Sequence, residues 1–108
     1  MVKLVVTVPT THTEAVLKAI GEAGGGQIGE TYDYCAFFTR GEGRFRPLAG
    51  ANPAIGTIGA IEQVVEDRIE VTVIDERLSN VVAAIRNAHP YEVPVIDLYP
   101  LLELDTRE

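Results

Sequence analysis

From Val2 to Val8 the chain alternates, with Leu4, Val6 and Val8 on one face and Val5 and Thr7 on the other. A β-branched run of this kind predicts a central strand. Beyond Pro9, Thr11 and Glu14 have the spacing of a capping box, and Val16, Ala19, Ile20 and Ala23 recur at helical intervals. A helix from about His12 to Ala23 is expected, ended by Gly24, Gly25 and Gly26. Tyr32 to Arg40 alternates again and predicts a second strand with aromatic mass on both faces. Gly41 to Gly59, interrupted by Pro47 and Pro53, predicts an extended loop. From Ala60 to Ile74 a long third strand is expected, with Ile69, Val71 and Val73 facing one way and Glu66, Arg68, Glu70 and Thr72 the other. Asp75 is placed to cap a second helix, whose Leu78, Val81, Val82 and Ile85 form one stripe and which Pro90 stops. Val93 to Tyr99 predicts the fourth strand, and Leu101 to Glu108 a short acidic tail docked on the domain.

The order β-α-β, β-α-β predicts an α+β, ferredoxin-like sandwich, a four-stranded antiparallel sheet with two helices on one face. The predicted core is Leu4, Val6, Val8, Val16, Ile20, Ile69, Val71, Val81, Val82 and Ile85. Such a sheet leaves its second face open, and the two-sided apolar strands imply a cover by self-association.

The length of 108 residues, 46% of them hydrophobic, suits a single domain, 1–108, with one core. Sixteen acidic against nine basic side chains give a net charge of -7, which repels nucleic acid and anionic membrane and favours cations. No apolar run reaches the roughly 20 residues of a membrane span, and no charged leader precedes the first strand, so a cytoplasmic protein is expected. Cys35 is the only cysteine, which rules out an internal disulfide, and its place mid-strand predicts a buried, inert thiol. Ser79 is the only serine, so a serine triad has no candidate. Glu66, Asp67 and Glu70, alternating with Arg68, predict a solvated or interfacial strand face rather than acid–base machinery.

Two groups of residues carry candidate chemistry. His12 opens the first helix and His89 ends the second, and antiparallel neighbours in the predicted topology bring both to one end of the sheet, with Tyr32, Asp33, Tyr91 and Glu92 expected nearby. His12, His89 and Glu92 would form a set suited to a divalent transition metal such as Zn or Cu, with structural roles for both histidines as the alternative. Arg40, Arg44 and Arg46 make the Gly41 to Gly59 region locally basic. That pattern predicts either anion or metabolite binding, without the context or Lys of a P-loop, or a loop packing Phe45 and Leu48 over a neighbouring subunit.

The stretches VPTTHTEAVLKAIGEAGGGQIGETYDYCAFFTRGEGRFRPLAGANPAIGTIG, IEQVVEDRIEV and AIRNAHPYEVPVIDLYPL together resemble the YqfO-like domain of Nif-three-related proteins, which also occurs as a free-standing short protein. The glycine-rich segment is the most specific part, whereas HPYEVP is also similar to the end of CutA. The YqfO group often has a second acid where this chain has Val93. The resemblance implies a fold related to CutA and to the trimeric PII proteins, whose connection between strands 2 and 3 contacts partners and whose anionic ligands bind near its base. The two-metal site of the full-length relatives lies in a separate flanking domain rich in His and acids, which His12 and His89 alone cannot reproduce. Three readings stand: a non-catalytic, homo-oligomeric binding or sensory module for a metal ion or small metabolite, a trimer as the PII resemblance implies; a structural oligomerisation module; and a metal-dependent hydrolase, for which the chain lacks ligands.

Overall fold

The computed structural model describes residues 1–102. Strand β1 (Val2–Pro9) is followed by helix α1 (Thr13–Glu22), strands β2 (Phe37–Phe45) and β3 (Glu62–Val73), a 3-10 turn (Asp75–Arg77), helix α2 (Leu78–Ala88) and strand β4 (Ile96–Pro100). The sheet order is β2-β3-β1-β4 with all neighbours antiparallel, which is the ferredoxin-like topology. Both long apolar strands are central, as their burial on the helix side requires.

One core lies between sheet and helices. Leu4, Val6 and Val8 of β1 and Ile69, Val71 and Val73 of β3 meet Val16 and Ile20 of α1 and Val81 and Ile85 of α2, all at most 2% exposed. Val82 packs against the edge of this cluster, only partly buried, and Val73 joins it. Because α1 and α2 each bury a single stripe, the sheet face opposite the helices has no helical cover.

Several local expectations are corrected. β2 begins five residues later than its aromatic alternation suggests, and Gly41 to Phe45 belong to it rather than to the loop. Tyr32 to Cys35 form an irregular connection in which Tyr34 takes a positive φ of 56°, and Cys35 is partly exposed instead of buried in a strand. Thr11 does not cap α1: His12 holds the N-cap position, and the Thr11 hydroxyl turns to His12 Nδ1 at 2.8 Å. Asp75 caps nothing either, and instead lies 3.2 Å from the N-terminal amine. Of the expected docked tail, Leu101 is held by its amide donating to the Met1 carbonyl at 3.1 Å, and residues 103–108 lie outside the described residues.

Candidate functional site

The register of β2 against β3 builds the floor of the site. Arg40 sits across from Asp67, Gly41 from Glu66 and Gly43 from Val64, so Gly41, Gly43 and Phe45 share the face turned away from the helices with Glu66 and Arg68. Gly43 is required by packing: a Cβ there would lie 2.0 Å from Glu66 Oε1. The carboxylate of Glu66 therefore lies along the bare backbone of β2, only 8% exposed.

The segment after α2 supplies the second wall. Pro90 ends the helix, and Tyr91 reaches over the sheet to donate its hydroxyl to Glu66 Oε2 at 2.7 Å, with its ring 5.7 Å from that of Phe45. Burial first, and donation to the Glu66 carboxylate second, push the Tyr91 phenol far above its ordinary value of 10.0. The third wall is the 47–59 loop, pinched where the Gly59 amide donates to the Pro47 carbonyl at 2.8 Å. It reaches the segment after α2 where the Asn52 amide donates to Glu92 Oε1 at 3.1 Å. Between these walls lies a cleft of about 550 Å³, with Glu42, Glu66, Glu92 and Arg68 among its charged lining and Phe45 and Val93 among the apolar side chains.

His89 stands beneath the cleft and is spoken for. The Tyr91 amide donates to His89 Nδ1 at 3.1 Å, so Nδ1 carries no proton; Nε2 then carries it and donates to the Thr7 carbonyl at 2.8 Å. This is a neutral imidazole with both nitrogens satisfied by backbone. Burial lowers its pKa from 6.5, against the opposing pull of the Thr7 carbonyl and the Glu66 charge, while His12 pushes in the same direction as burial. The structure thus brings His12 and His89 to one end of the sheet, as topology requires, and puts Glu92 in the bond to Asn52. Among the described residues no three His, Cys, Asp or Glu side chains gather as a metal site, so His12, His89 and Glu92 do not form one ligand set.

The arginines also separate. Arg40 donates from Nε to Asp67 Oδ1 at 3.3 Å on the helix side of the sheet, where Asp67, 2% exposed, also accepts from the Thr13 hydroxyl at 2.6 Å. The Thr13 bond, ahead of Arg40 and against the cost of burial, holds the Asp67 carboxyl below 3.8. Arg44 alternates onto the same side of β2 as Arg40, both residues border the cleft along β2, and Arg46 lies outside its lining. Tyr32 and Asp33 do not join the histidines: they line a smaller polar hollow with Gly24 and Arg77, where α1 ends and α2 begins, at the opposite end of the sheet. Glu66 and Asp67, expected on a solvated face, are both buried, and Glu66 is the residue that sequence reasoning missed. The signal that could have found it is the Gly41-x-Gly43 spacing inside a strand, where two missing side chains on one face make room for a neighbour's.

No family model matches the chain. Sequence relatives do. The chain is 52% identical over 99 residues to a "GTP cyclohydrolase 1 type 2 homolog" of Halalkalibacterium halodurans, covering 92% of this chain and 26% of that protein. It is 45% identical to the protein of that description from Mycobacterium bovis, covering 93% and 26%. The chain spans about a quarter of the length of these relatives. Among solved structures, a Bacillus cereus protein related to NIF3 superimposes with a TM-score of 0.80 at 43% identity, over 93% of this chain and 25% of that one. CutA1 from Pyrococcus horikoshii superimposes with a TM-score of 0.69 at 18% identity, over 99% and 89%, a likeness of fold.

Proposed function

Because the chain is a YqfO-like domain of the NIF3-related family, with the CutA/PII-like fold, we propose that it is a non-catalytic, homo-oligomeric binding or sensory module whose cleft takes a small metabolite. The observation that carries this reading is the cleft itself. A buried carboxylate held by Tyr91 faces about 550 Å³ of space, and the Asn52 to Glu92 bond joins two of its walls. Catalysis finds little support in its lining, since Ser79 and Cys35 both lie outside it and His89 has no free nitrogen to act as a base.

Association is supported by the face opposite the helices. Phe37, 63% exposed, and Tyr99, 49% exposed, stand there around Val5, in the rows of Glu70 and Lys3, away from Glu66 and Gly43 at the other end. A neighbouring copy can cover the aromatic end and leave the cleft open. Three is the number that the PII resemblance implies.

Light scattering tests the assembly, with three times 11.7 kDa expected and a monomer at micromolar concentration contradicting it. A thermal-shift screen of divalent cations, nucleotides and amino acids tests the ligand, because a compound that binds the native state raises the melting temperature. A specific rise abolished by Phe45→Ala supports the cleft; no rise with any class would leave only a structural oligomerisation module.

A further inference from the structure

We propose that the cleft is built for a small apolar zwitterion, an α-amino acid in class, with its ammonium on Glu66 and its carboxylate on Arg68. The proposal rests on the reading of the cleft as a ligand site and says what kind of ligand that site selects.

Glu66 is 8% exposed, yet only Oε2 is used, by Tyr91. Oε1 accepts no hydrogen bond from the described residues. No buried side-chain nitrogen or oxygen among them lacks a partner, so this unpaired oxygen is an accessible one, opening on the cleft that Glu66 lines. A carboxylate so largely removed from water is completed best by a charged N–H donor.

Arg68 follows two residues later on the same face of β3, about 6.6 Å along the strand. Its Nε donates to Glu70 Oε2 at 3.3 Å, while its terminal nitrogens bond to none of the described residues, and the side chain is half exposed. Both residues line the cleft, and no ion pair joins them. A negative and a positive group, side by side and not paired with each other, each with a free hydrogen-bonding position, match a ligand that carries the opposite charges on one carbon. Phe45, Ile55 and Val93 then offer an apolar surface to the remainder of that ligand.

The same lining disfavours the simpler classes. A bare anion would meet Glu66, and a simple organic cation would leave Arg68 unanswered. Of the other carboxylates at the cleft, Glu92 accepts from the Asn52 amide and Glu42 from the Gln63 side chain, and among the described residues no three acidic, His or Cys side chains gather for a metal ion.

The experiment is calorimetric titration of the full chain with L-phenylalanine, with phenethylamine, which keeps only the ammonium, and with 3-phenylpropionate, which keeps only the carboxylate. The amino acid is expected to bind about tenfold or more tightly than either half. Glu66→Gln, which still offers Tyr91 an acceptor, and Arg68→Gln, at a half-exposed position, should each weaken it about tenfold with circular dichroism unchanged. If Glu66→Gln fails to fold, Arg68→Gln carries the test alone. Equal binding of the half-molecules, unchanged affinity in a folded variant, or no heat with L-phenylalanine at millimolar concentration overturns the proposal. In that last case a nucleotide or cation that still protects the wild type through the cleft preserves the binding module and removes only the zwitterion; silence from every class removes both.

Discussion

The Tyr91 hydroxyl donates to Glu66 Oε2 at 2.7 Å across 25 residues of sequence, and that bond ties the segment after α2 to a central strand of the sheet. It orders one wall of the cleft and fixes which carboxylate oxygen remains for a ligand. Tyr91→Phe removes the donor and leaves a nearly buried carboxylate without any partner. We expect a loss of about 1–2 kcal/mol in urea unfolding, and stability equal to wild type would contradict the role assigned to the bond.

His89 makes the domain acid-sensitive in a defined window. Its neutral form is held by burial and by two backbone bonds, so its folded pKa lies below the ordinary value of 6.5. As pH falls through about 6.5, the unfolded chain takes up the proton first. The stability owed to this residue is therefore full above that pH and is lost as pH drops from there through the folded value. Chemical denaturation of the wild type should show this decline between neutral and mildly acidic pH, and His89→Gln should flatten it. A wild-type profile that is flat in this window, or one that rises toward acid, would refute the assignment.

Thr13→Val tests the buried group on the opposite face. The hydroxyl supplies the 2.6 Å bond that does most to lower the Asp67 pKa, leaving Arg40 as the remaining partner. A loss of roughly 1.5–3 kcal/mol is expected at neutral pH, the range for a hydrogen bond to a charged group. Since the folded carboxyl titrates below 3.8, its contribution is full above that pH and is lost as pH falls through the folded value. Acid unfolding of Thr13→Val should consequently begin from a lower plateau and show a shallower acid limb; a limb as steep as that of wild type would count against the Thr13 contribution.

Much of the fold was legible because two periodicities were unbroken. The alternation of Leu4, Val6 and Val8, and of Ile69, Val71 and Val73, can be buried only beneath the stripes of Val16 with Ile20 and Val81 with Ile85, and the core forms there. β2 was misplaced because glycine carries no face: Gly41 and Gly43 hide the strand's alternation while serving the packing of Glu66. The meeting of His12 and His89 followed from topology alone. Their partners did not, because the Thr7 carbonyl and the Tyr91 amide that occupy His89 belong to backbone, which every sequence shares. The cleft was hidden for a related reason: it depends on Glu66, Tyr91 and the Asn52 amide, brought together by loop conformation rather than by any period.

Two glycines in the irregular connection before β2 separate conformational from steric demand. Gly26 has φ +79°, and a Cβ there would lie 2.3 Å from the Cys35 carbonyl oxygen, whereas Gly29, at φ +60°, has open space. Gly29→Ala should cost about 1 kcal/mol for the left-handed backbone alone. Gly26→Ala must in addition displace a backbone segment whose Cys35 amide donates to the Gly26 carbonyl at 3.0 Å, and should lower the melting temperature several-fold more. Equal shifts for the two variants would show that this connection is not held against Gly26.

On the proposed reading, the face opposite the helices carries a ligand site between Glu66, Tyr91 and the 47–59 loop. Backbone amide NMR of isotopically labelled protein, titrated with the amino acids, nucleotides and divalent cations of the thermal screen, addresses it residue by residue. A binding compound should move the amides of Gly41, Gly43, Phe45, Asn52, Glu66 and Tyr91 together and leave those of α1 and the Gly24 to Asp33 connection in place. Saturable shifts confined to that second region, or none at the cleft with any class of compound, would show that the cleft is not a ligand site.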